Sequence, residues 1–115
     1  MKRLAIVVPY RAREAHLKIF VPALRTYFTR DKLDREIPYR VVIVEQADDL
    51  PFNRGALKNI GFKLSFADAD YVCFHDVDYV PVWADYRWSD VPVRIIWYGV
   101  EQRPCGRIGC ASLAR

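Results

Sequence analysis

The chain has 115 residues, one domain's worth, and its 52% hydrophobic and 28% charged content supplies both a core and a surface to cover it, which excludes a disordered chain. Eighteen Lys and Arg against 14 Asp and Glu leave a net charge of +4, scattered rather than clustered. That balance favours small anionic ligands or an anionic membrane surface and argues against nucleic acid as a partner.

Met1-Lys2-Arg3 leads into Leu4–Val8, a β-branched-rich run that stops at Pro9-Tyr10-Arg11. The run is too short for a signal-peptide core or a membrane span and reads as a strand covered on both faces. The expected location is the cytoplasm, with peripheral contact at the inner membrane face open to a basic chain. Apolar residues then recur at Leu17, Phe20, Val21, Leu24, Tyr27 and Phe28, the steps of three and four that make one face of a helix over about residues 13–29, with a kink expected at Pro22. His16 on this helix is expected to be exposed and inert.

"YRVVIVEQ" (39–46) is the second strand, and "DDLPFN" turns the chain. Asn53 is placed to cap a second helix whose core stripe reads Leu57, Ile60 and Leu64, with Phe62 and Phe66 beside it. "ADAD" (67–70) ends that helix, and Tyr71–Phe74 is the third strand, with Cys73 a small core residue. "VRIIWYGV" (93–100) predicts a fourth strand, whereas the tail over 105–115 has neither helical nor strand periodicity. Cys73, Cys105 and Cys110 lack CxxC spacing, so neither a disulfide framework nor a zinc site is expected. The order β-α-β-α-β implies right-handed crossovers and a parallel sheet with helices on both faces.

In such a sheet, ligands bind beyond the carboxyl ends of the strands. There the first strand delivers Pro9-Tyr10-Arg11-Ala12-Arg13, the second Glu45-Gln46 and the third His75-Asp76-Val77-Asp78. Arginine forks suit phosphate oxygens, and two close carboxylates, which repel each other, suit a hard divalent cation bridging those phosphates. Arg11, Arg13 and Arg54 stand at helix starts, where a positive charge opposes the macrodipole unless an anion is held there. Plainer readings stand beside these. Asp76 and Asp78 also suit a solvated turn, Glu45 and Gln46 a strand cap, and His75 a satisfied structural position. Trp83, Trp88 and Trp97 suit packing better than sugar stacking.

"VVPYRAREAHLKIFVPAL", "VIVEQADDLPFNRGALKNIGF" and "CFHDVDYVP" resemble, in order and spacing, the β-1,4-galactosyltransferase family and its bacterial members, over residues 4–81 and more loosely to Pro104. The resemblance implies an α/β GT-A (Rossmann-like) fold, mostly parallel sheet with flanking helices, with residues 1–104 as the nucleotide-sugar-binding part. It implies inverting transfer of a hexose from a UDP-sugar, above all UDP-galactose, to a carbohydrate acceptor with Mn²⁺. Carried over, Pro9, Tyr10 (where many members have Phe), Arg11 and Arg13 form the nucleotide-binding turn. Phe52 and Arg54 contact the uracil and the diphosphate side, Asp76 and Val77 lie along the ribose and its phosphate, and Asp78 is the metal ligand.

The family's Gly- and Trp-rich acidic segment, which shapes the acceptor pocket and supplies the catalytic base, has no counterpart after residue 81; nor has the later His of the metal shell. Asp90 and Glu101 are the only acids beyond Asp85. A truncated or frame-shifted end is therefore expected, with a non-catalytic UDP-sugar-binding remnant as the second reading. A third is a metal-dependent phosphatase, since "VCFHDVDYV" also fits an apolar strand followed by Asp-x-Asp-x-Val with Asp76 as nucleophile; that motif normally lies on the first strand and needs a downstream Lys.

Overall fold

The computed structural model describes residues 2–30, 32–78, 80, 81 and 86–90, and the backbone of 110–112. Along them run β1 (Leu4–Tyr10), α1 (Glu14–Arg30), α2 (Leu33–Glu36), β2 (Tyr39–Glu45), α3 (Arg54–Ser65), β3 (Tyr71–Phe74) and β4 (Cys110–Ser112). They form one sheet in the order β2-β1-β3-β4. β1 runs parallel to both neighbours, with Leu4 opposite Tyr39 on one side and Tyr71 on the other, while β4 is antiparallel to β3.

The central strand shows why the sheet is covered twice. Side chains alternate across a strand, and every residue of β1 is buried. Leu4, Ile6, Val8 and Tyr10 join Phe20, Leu24, Tyr27 and Phe28 of α1 in one cluster, and Tyr71 and Cys73 of β3 belong to it too. Ala5 and Val7 turn the other way and meet Leu57 of α3, together with Val44 and Val72. The α1 stripe is as the periodicity predicts, and the helix is continuous through Pro22.

α3 departs from expectation. Its start is as predicted, Asn53 Oδ1 accepting a hydrogen bond from Ala56 N–H at 3.0 Å. Its buried face is Leu57, Gly61 and Ser65, however, whereas Ile60 and Leu64 are 47% and 61% exposed. Small residues let the helix axis approach the sheet, and Ser65 satisfies its buried hydroxyl on the Gly61 carbonyl at 2.7 Å. The expected strand over 93–100 lies outside the described residues. Within the tail, Cys110–Ser112 pairs with Tyr71–Cys73. A three-residue strand is too short to leave a periodic signal.

Candidate functional site

β1 and β2 end side by side, Tyr10 opposite Glu45, while β3 stops earlier, Phe74 opposite Val7. His75 N–H still donates to the Val7 carbonyl at 2.9 Å, so Asp76, Val77 and Asp78 pass alongside the turn that follows β1. Between these ends and the start of α3 opens a cavity of about 330 Å³. Pro9, Arg11 and Arg13 line it from the first turn, Phe52 and Arg54 from the start of α3, and Asp76, Val77 and Asp78 from the third strand's end, with Ala12 added. Ala12 has φ 51°, a left-handed conformation that costs a residue with a Cβ on the order of 1 kcal/mol and is found mostly at binding sites and tight turns.

Of the residues that the family resemblance gives to the nucleotide and the metal, one does not line this cavity. Tyr10 is 6% exposed and packs into the α1-side core. The alternation of β1 explains it, since Tyr10 shares its face with Leu4, Ile6 and Val8.

The charges are partly answered from within. Arg54 Nη1 lies 3.7 Å from Asp76 Oδ2, so the cation at the α3 N-terminus has an internal counter-ion. With Arg54 half exposed, that pair is weak and leaves the guanidinium able to engage a ligand. Arg11 Nη1 donates to the carbonyls of Asp48 and Leu50, and its guanidinium lies 5.6 Å from the centre of the Phe52 ring. Gln46, left open above between capping a strand and serving a site, donates from Nε2 to Asp48 Oδ1 at 2.7 Å and accepts on Oε1 from Asn53 N–H at 2.8 Å. Glu45 is exposed and absent from the cavity lining.

His75 is structural, as the plainer reading had it. It is 2% exposed. Nδ1 faces the Asp76 carbonyl at 3.1 Å, which can only accept, so Nδ1 carries the proton and Nε2 accepts from the Tyr86 hydroxyl at 3.0 Å. Tyr71 Oη donates to the Tyr86 carbonyl at 2.8 Å, closing a buried network behind the carboxylates. Burial holds the His75 pKa below its ordinary 6.5, outweighing the raising effect of the Asp76 carbonyl and carboxylate. The unfolded chain therefore binds this proton first on acidification, so the contribution is fully present above pH 6.5 and is lost as pH falls below it. Urea midpoints measured from about pH 8 to about pH 5 are expected to fall through this window, with an NMR midpoint for the His75 ring below its ordinary value. A ring that titrates above the ordinary value would contradict this.

Among the described residues, no group of three or more His, Cys, Asp and Glu is placed to hold a metal ion. Among the described residues, the carboxylates that line the cavity are those of Asp76 and Asp78. Trp88, 39% exposed, packs edge-on against Tyr71 and carries Lys2 Nζ over its ring. Trp83, Trp97, Asp85, Glu101 and Cys105 lie outside the described residues.

A model of the N-terminal region of glycosyl transferase group 7 matches residues 1–88. Human β-1,4-galactosyltransferase 7 is 41% identical over 80 residues, 70% of this chain and 23% of that one; human β-1,4-galactosyltransferase 1 is 39% identical over 82 residues, 70% and 20%. The chain belongs to the β-1,4-galactosyltransferase family of glycosyl transferase group 7. The catalytic domain of Drosophila β-1,4-galactosyltransferase 7 in complex with xylobiose superposes with a TM-score of 0.75 at 26% identity, over 97% of this chain and 49% of that one. A mutant of that protein in complex with manganese, UDP-Gal and xylobiose gives a TM-score of 0.76. The galactosyltransferase fold implied by the sequence motifs is thus the fold observed. The chain spans roughly a fifth of the length of these curated relatives and about half of the solved chains. No described helix is long and apolar enough to cross a membrane.

Proposed function

We propose that this cavity binds the UDP part of a nucleotide sugar, above all UDP-galactose, with a divalent cation, and serves inverting transfer of the hexose to a carbohydrate acceptor. The observation that carries the reading is the convergence of Arg11, Arg13 and Arg54 with Asp76 and Asp78 around one cavity at the strands' carboxyl ends. A pair of carboxylates suits a hard cation of the Mg²⁺ or Mn²⁺ kind, which is commonly held by one or two carboxylates plus substrate phosphates. Mn²⁺ is favoured because a mutant of the Drosophila relative was solved in complex with manganese and UDP-Gal. Asp78 would hold the cation, with Asp76 beside it, and the bound cation would neutralise diphosphate charge and make the nucleotide a better leaving group.

The chain's own residues do the rest. Arg13 and Arg54 present forked donors to phosphate oxygens, and Asp76 can accept from a ribose hydroxyl while pairing with Arg54. Phe52 offers a flat apolar face in a cavity otherwise lined mainly by charge. Inverting transfer also needs a base within reach of the acceptor hydroxyl. Among the described residues, the acids lining the cavity are Asp76 and Asp78, which this reading gives to the cation and the ribose. The described residues thus account for donor binding, and the second reading, donor binding without efficient transfer, is separated from the first by the transfer assay below.

Calorimetry with UDP-galactose in Mn²⁺ and in chelator tests the binding, and metal-independent or absent binding would overturn it. Product formed from GlcNAc- or xylose-terminated acceptors at about 1 s⁻¹ or faster would overturn the second reading. Arg54→Ala is expected to cost about 1.5–3 kcal/mol of UDP affinity, the range for hydrogen bonds to charged groups. The same titration should weaken as NaCl rises from about 0.05 M to about 0.5 M, because screening shortens the reach of these charges. Salt-independent affinity with Arg54→Ala unchanged would place the anion elsewhere.

A further inference from the structure

We infer that Gln46 is a positioning residue that latches the 46–53 loop so that Phe52 stands ready to receive the base of the nucleotide, an inference that rests on the nucleotide reading above. The loop has little else to hold it. Residues 47 to 53 are all exposed, and Leu50, its largest aliphatic side chain, is 65% exposed. Hydrophobic burial therefore does not set its shape; polar contacts do.

Those contacts converge on one amide. Gln46 hangs at the end of β2, its N–H donating to the Tyr10 carbonyl at 3.0 Å. From there Nε2 reaches Asp48 Oδ1 at 2.7 Å and the carbonyls of Leu50 and Pro51, each at 3.2 Å. Oε1 takes the Asn53 N–H at 2.8 Å, directly beside Phe52. Asp48 Oδ1 in turn accepts from Leu50 N–H at 3.1 Å. Arg11, at the neighbouring strand end, clamps the same Asp48 and Leu50 carbonyls and lies against the Phe52 ring. The family reading gave Arg11 to the nucleotide; here its Nη1 donates to the loop.

Phe52 is the only aromatic side chain among the described residues of the cavity lining and is 41% exposed. A nucleobase stacked on it would lose its gain if the loop first had to be ordered, so a preformed loop raises affinity by removing that cost. The latch therefore acts on the base end of the ligand and not on its phosphates.

The test compares wild type with Gln46→Met, which matches the size of Gln and lacks its hydrogen bonds, using UDP and inorganic pyrophosphate as probes in Mn²⁺. UDP affinity is expected to fall about tenfold, while pyrophosphate affinity stays within about twofold. Hydrogen exchange at the Asn53 amide should quicken by about tenfold or more with β1 and β2 amides unchanged. Tm should fall by no more than about 4 °C. Asp48→Ala, on an exposed residue, should shift the same readouts in the same direction by less, and serves if Gln46→Met does not fold. Equal losses for both probes, an unchanged UDP affinity or unaltered Asn53 exchange would overturn the latch. A wild-type chain that binds pyrophosphate but gains nothing from the uridine overturns it as well. Wild type that binds neither probe removes the nucleotide reading itself, and this inference with it.

Discussion

Asp78→Asn is expected to abolish metal-dependent UDP binding, with a loss of at least about a hundredfold, or roughly 2.7 kcal/mol. Asp76 already faces Arg54 at 3.7 Å, whereas Asp78 is exposed at the cavity and makes no ion pair with a described residue. Its charge is thus the one left for a cation. The asparagine keeps the shape and one oxygen but removes the charge on which a hard cation depends. A further signature separates loss of the metal from general damage. In chelator, Asp78→Asn should bind UDP no worse than wild type, because it removes a negative charge from beside the phosphates. Asp68→Asn, whose carboxylate pairs with Arg40 at 2.7 Å away from the cavity, should change neither measurement beyond about twofold, as expected for an exposed pair. Calorimetry that finds Mn²⁺-dependent binding intact in Asp78→Asn would remove this aspartate from the metal site.

Gly61→Ala is expected to be among the most destabilising single-methyl changes in the chain. A Cβ at position 61 would fall within the van der Waals envelope of Val7 Cγ1 and lie 3.2 Å from Val44 Cγ2. Val7 is fully buried on the central strand and has no room to retreat. α3 would have to lift off the sheet, carrying Asn53 and Arg54 with it. Overpacking of this kind costs about 1–3 kcal/mol and sometimes more, against a gain of at most about 1 kcal/mol in helix propensity. The net loss should be about 2 kcal/mol, or on the order of 10 °C in Tm for a chain of this size. Gly61→Val adds two further methyl groups in the same place and should leave no cooperative unfolding transition. Ile60→Ser, on the 47% exposed neighbour, should stay within about 0.5 kcal/mol. Urea midpoints for Gly61→Ala and Ile60→Ser, with the loss of a cooperative transition in Gly61→Val, check the order, and a larger cost at Ile60 than at Gly61 would mean that α3 packs by its other face.

That reversal marks where periodicity stops being informative. In α1, Phe20, Leu24, Tyr27 and Phe28 are large and apolar on one stripe, and burial follows. In α3 the large apolar residues Ile60 and Leu64 lie outside, because Gly61 and Ser65 allow the closer approach to Val7 and Val44. Apolar size tells which stripe gains most from burial anywhere, but not which stripe fits a given surface most closely. Tyr10 makes the same point in a strand. Its neighbours Pro9 and Arg11 line the cavity, yet alternation along β1 turns its own ring into the core.

By itself the sequence determined the alternation of strands and helices, the cap at Asn53, the shared edge of three strand ends and the residue types that suit this edge to an anion and a cation. These are local facts, carried by runs of residues that report their own periodicity and chemistry. Only the tertiary structure decided which face of α3 meets the sheet, that His75 is held by Tyr86 eleven positions away, that Cys110–Ser112 joins β3, and that Gln46 and Arg11 converge on one loop. Each of these depends on a surface or partner distant in the chain. A side chain's hydrogen-bonding capacity is written in its residue type, but the group that satisfies it is chosen only when the fold brings the two together.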